Sequence, residues 1–428
     1  MKARTEAKRD IPDALFIQGG ANPPILQPYT FLVMLELLFY IMNRFHSPLE
    51  ANALRVKAEA KTRLFDWGGD EFLEPLSVLL DSIHREARLS QQGEFVLYQH
   101  YMRLLKNLLA VNDDWKREPK IHKVEIKAPI FILGFPRTGT TYLHQLMAND
   151  PAHRTLRYWE LLFPSPPPAP NTPENDARIR EAKRFCYWIG KISPKLYSIH
   201  ELDAMGAEEC CFIFDHWFLD RINHLVFDIP TYVSWYDQYD HRASYAFHKK
   251  MLQSYGVNFP QQRFLLKAPR HLFCLGALLS VYPDARIIWT HRDPLEALPS
   301  LCSLSETARA IVSRDVHPER IGRRCLDHLE AEFASGWKAR QAAGEGRFYD
   351  VAYNDLVRNP VKTLQNIYSY FGMEYSGALD EALEAEAARQ QNRRRQPHRY
   401  SLEQYHLDES EINLQLADYI EHFSSYIR

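Results

Sequence analysis

Cysteines in C-x-x-C pairs, a bilayer-spanning run and an excess of charge of either sign are all missing from this 428-residue chain. The six cysteines, Cys186, Cys210, Cys211, Cys274, Cys302 and Cys325, form no C-x-x-C pair, and the adjacent Cys210 and Cys211 are poorly placed for an unstrained bridge. This argues against a disulfide framework and predicts a reduced compartment. Residues Met1–Asp10 are charged and lack the apolar centre of a signal peptide, so a cytoplasmic location is expected. The most apolar stretch, Phe31–Met42, is broken by Glu36 and falls well short of the roughly 20 residues that cross a bilayer. It reads as a buried helix, the other readings being a homo-oligomer contact or a peripheral membrane contact. With 52 basic against 54 acidic side chains, the formal charge of -2 points to neither nucleic acid nor an anionic membrane as main partner. A small anionic ligand needs only a local cluster of donors and stays open.

What is present is enough for a sizeable core: 46% of residues are hydrophobic and 13% aromatic. Apolar positions recur at helical spacing through Ala51–Phe65, Phe72–Ile83 and Phe95–Leu109. No strand pattern precedes Val124. Residues 1–123 therefore read as a helical region packed on the remainder of the chain, and 124–428 as an α/β domain that includes the C-terminal tail. Within the latter, short apolar runs at Ile130–Leu133, Arg263–Leu266, Ala285–Thr290 and Phe348–Val351 alternate with helical patterns. This order implies a P-loop-like three-layer fold around a central parallel sheet. The proline-rich 164–173 can be neither helix nor central strand. The many aromatics of Phe212–Phe247 fill a core or line an acceptor pocket.

The most informative segment is Gly134-Phe135-Pro136-Arg137-Thr138-Gly139-Thr140-Thr141, set between an apolar strand and a helix. Such a unit aims backbone N–H groups and the positive end of a helix dipole at one spot, where anionic oxygens bind. The glycine spacing is that of a nucleotide-binding P-loop, but Thr140 stands where a kinase or NTPase carries lysine. No apolar strand ends in an obvious metal-binding aspartate either. A loop with a cradle but without lysine or metal suits a shorter anion such as a 5′-phosphosulfate. Arg137, the backbone at Gly139 and the hydroxyls of Thr138, Thr140 and Thr141 are its candidate donors. A second cluster leaves the end of a buried strand, with Arg292 in His291-Arg292-Asp293 and Ser300 eight residues on. A protein-kinase catalytic loop would place asparagine at position 298, which is Leu298 here.

With these two motifs and the late segment Tyr349–Val357, the chain resembles the superfamily of sulfotransferases that use 3′-phosphoadenosine-5′-phosphosulfate (PAPS). The likeness is to its bacterial sulfotransferase-family branch and, more loosely, to protein-tyrosine sulfotransferases. The resemblance implies PAPS as co-substrate, no catalytic metal and a hydroxyl-bearing small-molecule acceptor. It implies that Gly134–Thr141 takes the 5′-phosphosulfate, that Arg292 and Ser300 take the 3′-phosphate, and that the segment with Tyr353 closes on the nucleotide. Leu304 stands where protein-tyrosine sulfotransferases carry a further arginine, so Arg395 or Arg399 is a candidate to replace it. For the general base the resemblance points to Glu160, with His200 as its competitor and Glu208 or Glu209 placed to orient His200 or to hold acceptor hydroxyls. Lys267, at the end of a strand, matches the lysine that stabilises the leaving group. The acceptor is a small molecule, a lipid or a sugar. The competing readings are a small-molecule kinase and a catalytically silent nucleotide-binding relative that acts as an interaction module.

Overall fold

In the computed structural model, which describes residues 49–199, 202–375, 377–392 and 400–427, a five-stranded parallel sheet organises the chain. The strands are β1 (Ile130–Gly134), β2 (His153–Arg154), β3 (Arg263–Lys267), β4 (Arg286–His291) and β5 (Phe348–Ala352), in the order β2-β3-β1-β4-β5. Four of them are the runs expected from sequence. The fifth, β2, is a two-residue edge strand with too short a run to leave a periodic signal. His200, Arg395, Arg399 and Phe31–Met42 lie outside the described residues.

Every side chain of β1 is buried, because helices cover both faces of the sheet. Alternate residues feed opposite layers, as the two-residue strand period requires. Phe131 and Leu133 pack with Leu266, Ile287 and Trp289 into one core, while Ile130 and Ile132 pack with Leu265, Ile288 and Val351 into the other. The second core is closed by Leu143, Leu146 and Met147 of helix α4 (Thr140–Met147).

The N-terminal helices α1 (Ala51–Thr62), α2 (Leu73–Glu86) and α3 (Gln91–Arg117) belong to the first core, sharing it with the sheet. Ser90 caps α3 by accepting the Gly93 N–H at 3.0 Å. Gly93 itself lies against the end of α5 (Pro294–Val312), where a Cβ would sit 2.1 Å from the Val312 carbonyl oxygen. That close approach ties the helical layer to the α/β layer. The proline-rich 164–173 contains neither helix nor strand. Most of the aromatics from 212 to 247 are core: Phe218, Phe227, Tyr232, Tyr236, Tyr245 and Phe247 are buried.

β1 has β3 on one side and β4 on the other, so the chain reverses its direction of travel across the sheet there. A crevice outside the carboxyl ends of the strands forms at such a point. The carboxyl ends of β1, β3, β4 and β5 carry the phosphate loop, Lys267, Arg292 and Tyr353 respectively.

Candidate active site

The loop after β1 is held by backbone geometry that few residues tolerate. Gly134 has φ 145°, and a Cβ there would lie 2.4 Å from the Thr290 carbonyl oxygen. Gly139, the residue before α4, has φ 90°, and its Cβ would meet the Tyr353 ring at 2.9 Å. Arg137 takes a left-handed φ of 71° without being glycine. Such a conformation persists only where surrounding contacts enforce it. Thr138 supplies one: its hydroxyl bonds the Phe135 carbonyl and the Thr290 hydroxyl, each at 2.6 Å, and is fully buried. Its side chain therefore shapes the loop from inside and is not the free donor expected from sequence. The first turn of α4 leaves backbone N–H groups without helical partners at the open side of the loop.

Around this loop the structure gathers Arg137, Ser300, Arg292 and Tyr353. Arg137 Nε donates to Ser300 Oγ at 3.0 Å, and Ser300 sits on α5. Arg292 Nη1 donates to the Arg137 carbonyl at 3.1 Å, while its guanidinium lies 4.3 Å from the Tyr353 ring centre. Burial lowers the pKa of Arg137 from its ordinary value. The rim is braced from behind. Asp350 on β5 accepts from His291 at 2.8 Å and from both terminal nitrogens of Arg340 at 2.7 Å. Burial raises the Asp350 pKa, but Arg340 and His291 outweigh it and the carboxyl stays below its usual range. The C-terminal segment completes the brace, with Tyr419 packed 4.5 Å from Phe135 and Phe423 stacked 3.8 Å from His291.

Lys267 leaves β3 on the opposite side of the loop. It is 1% exposed, donates to Thr141 Oγ1 at 3.2 Å and makes a short ion pair with Glu209. Glu209 borders a cavity of about 90 Å³ whose wall also includes Arg137, Thr140, Thr141 and Leu304. Leu304 lies one helical turn beyond Ser300 and so faces this cavity.

Glu160 is placed differently. Its Oε2 accepts from Arg154 Nη2 and from the backbone N–H of Arg157, each at 2.9 Å, closing the first turn of the short helix Tyr158–Leu162. It is 3% exposed and borders a separate cavity of about 350 Å³ that contains no residue of the phosphate loop. The structure thus brings Glu209, not Glu160, to Lys267 and Thr141. Sequence reading had Glu209 only as a group that orients His200 or holds acceptor hydroxyls, because nothing in the sequence says which carboxylate the end of β3 meets. Arg221, Arg270, His328 and Glu332, which wall the 90 Å³ cavity, were not singled out at all. Arg270 carried a signal, since it follows Lys267 in the same turn after β3.

Comparison with known proteins gives one answer. The sequence model of the sulfotransferase family matches residues 129–377. An omega-hydroxy-beta-dihydromenaquinone-9 sulfotransferase of Mycobacterium tuberculosis, Stf3, is 24% identical over 265 residues. That alignment takes in 57% of this chain and 63% of the relative, and the same figures hold for the Mycobacterium bovis protein. The chain thus spans less than two thirds of the curated relatives it matches. The crystal structure of sulfotransferase STF1 from M. tuberculosis is similar with a TM-score of 0.78 and 31% identity, over 86% of this chain and 98% of that one. STF9 from Mycobacterium avium gives a TM-score of 0.80 at 26% identity, over 90% and 98%.

Proposed function

The chain belongs to the sulfotransferase family, and from that premise we propose that it moves a sulfuryl group from PAPS to the hydroxyl of a small-molecule, lipid or sugar acceptor. The observation that carries the reading is the rim itself. Arg137, Ser300, Arg292 and Tyr353 converge on a glycine cradle without the P-loop lysine, while Lys267 and Glu209 stand across it. The two anionic ends of the donor suit the two halves of this rim. Backbone N–H groups at the start of α4, with Thr140, Thr141 and Arg137, receive the 5′-phosphosulfate; Arg292 and Ser300 receive the 3′-phosphate.

Transfer needs a base for the acceptor proton and a cation for the leaving oxygen. Glu209 is assigned as the base and Lys267 as the cation. Donor binding draws Lys267 toward the bridging oxygen and loosens its pair with Glu209, which frees the carboxylate to take the hydroxyl proton. The acceptor oxygen then bonds sulfur as the bond from sulfur to the bridging oxygen breaks, and its electron pair passes to the phosphate. Charge is neutralised by Lys267, Arg137 and Arg292, with no metal ion in the proposal. The menaquinone-derived acceptor in the name of the mycobacterial relative marks the lipid end of the acceptor range. All six cysteines are free thiols, which supports the reducing, cytoplasmic location.

Calorimetric titration with 3′-phosphoadenosine-5′-phosphate beside Mg-ATP tests the reading. Micromolar binding of the bisphosphate, lost in Arg137→Ala and absent for Mg-ATP, is the expected result. A preference for Mg-ATP overturns it in favour of a kinase-like protein.

A further inference from the structure

Unpartnered polar atoms are rare inside proteins, because each one costs about 1–3 kcal/mol. Among the described residues 17 buried side-chain nitrogen and oxygen atoms lack a hydrogen-bond partner, and seven of them belong to five residues that line the 90 Å³ cavity. They are Nε and Nη1 of Arg221, Nε and Nη1 of Arg270, Nε2 of His224, Nδ1 of His328 and Oε2 of Glu332. All five side chains are buried. The same cavity reaches Thr140, Thr141 and Glu209, the place where the acceptor hydroxyl must lie for transfer.

The wall is rigid as well as unsatisfied. The Arg270 guanidinium stacks 3.7 Å from Phe214 and gives only Nη2 to a neighbour, the Tyr236 hydroxyl at 2.5 Å and the Cys274 sulfur at 3.5 Å. Arg221 stacks 3.8 Å from Phe273, and Asp237 approaches its Nη1 only to 3.5 Å. His328 Nε2 pairs with Glu332 Oε1 at 3.1 Å, and its ring lies 3.9 Å from that of His224. Burial raises the Glu332 pKa to about 8, so at neutral pH it keeps its proton and adds no negative charge. Two fixed guanidinium groups, Arg221 with Asp237 as its ion-pair partner, therefore line one wall with N–H donors that have no hydrogen bond. Ile222, Leu225, Pro269 and Leu304 supply apolar surface elsewhere in the lining.

We propose that this cavity receives the acceptor and that Arg221 and Arg270 bind a carboxylate carried a short distance behind the acceptor hydroxyl, so that the substrate class is a small hydroxycarboxylate. The inference rests on the sulfotransferase reading of the loop. The planar guanidinium fork matches a carboxylate in two-point geometry, and pairing in a desolvated wall strengthens it. The volume limits the spacer: about 90 Å³ holds roughly six water-sized groups. A site with buried polar donors also rejects analogues that leave them unpaired.

The test is calorimetric and starts from the wild-type chain, both free and loaded with 3′-phosphoadenosine-5′-phosphate. It is titrated with 4-hydroxybutyrate and 3-hydroxypropionate and with the corresponding neutral amides. The acids are expected to bind about tenfold to a hundredfold more tightly than the amides. Arg221→Gln and Arg270→Gln each lose that preference and keep bisphosphate affinity within about twofold. Equal binding of acids and amides to the wild type overturns the inference without recourse to any variant. Failure of the bisphosphate to bind instead overturns the function reading, and the acid–amide comparison on free protein still decides the present one.

Discussion

The two sides of the site solve opposite problems. On the side proposed for the donor the polar groups bond one another: Thr138 to Thr290, Arg137 to Ser300, Arg292 to the Arg137 carbonyl. On the side proposed for the acceptor Arg221, Arg270, His328 and Glu332 are equally buried but, together with His224, hold seven polar atoms without a hydrogen-bond partner. A preorganised rim suits a ligand whose phosphates always occupy the same positions, since no reorganisation is needed when charge develops. An unsatisfied wall suits discrimination, because it stays costly until the right oxygen atoms fill it. The same contrast separates two carboxylates. Glu160 is locked to Arg154 and a helix start, whereas Glu209 faces Lys267 at the mouth of the cavity.

That second contrast is the easiest to break. Glu209→Gln is expected to lower kcat by about 10²–10⁴-fold, the usual contribution of a positioned base, with bisphosphate affinity within about twofold. Steady-state kinetics and calorimetry on one preparation check both. Glu160→Gln should do the reverse: it leaves Arg154 as an uncompensated buried charge, which costs about 3–5 kcal/mol of stability. Denaturant unfolding reads that loss. If Glu160→Gln abolishes turnover in folded protein and Glu209→Gln does not, the two roles are exchanged.

Smaller effects sharpen the division between the sides. Arg292→Ala removes a charge-assisted contact from the 3′-phosphate half of the rim and should weaken bisphosphate binding by about tenfold to a hundredfold. Binding of an acceptor acid to the free protein should be unchanged. Glu332 supplies a pH effect whose sign can be worked out. Its folded pKa, raised to about 8, exceeds its ordinary value of 4.5, so the folded chain holds the extra proton between those limits. Stability contributed by this group therefore falls as pH rises from about 4.5 to 8, by about 1 kcal/mol per pH unit. Glu332→Gln should flatten that decline in unfolding curves taken between pH 5 and 9.

Much of this arrangement was legible before any coordinates. The run Ile130–Leu133, the spacing of Gly134 and Gly139 and the missing loop lysine are local features, and they led to the parallel sheet and the anion cradle at its switch point. The placement of Arg292 and Ser300 beside that loop was readable for the same reason, one at a strand end and the other eight residues on. The inward turn of the Thr138 hydroxyl was not readable, because a hydroxyl in a loop can turn inward or outward without any change in the pattern. The bonding of Glu160 was not readable, because its partner Arg154, six residues away, sits on a two-residue strand that leaves no periodicity. The acceptor wall was invisible for a different reason. Residues 221, 270, 328 and 332 come from separated segments, and only the packing of helices above the sheet brings them to one cavity.

The most direct measurement sets the two sides against each other in one calorimetric series. Wild type, Arg292→Ala and Arg270→Gln are each titrated with 3′-phosphoadenosine-5′-phosphate and, as free protein, with 4-hydroxybutyrate. The account predicts that Arg292→Ala loses the bisphosphate and keeps the acid, while Arg270→Gln keeps the bisphosphate and loses the acid. Loss of the same ligand in both variants, or of neither ligand in either, would contradict the division between donor and acceptor sides.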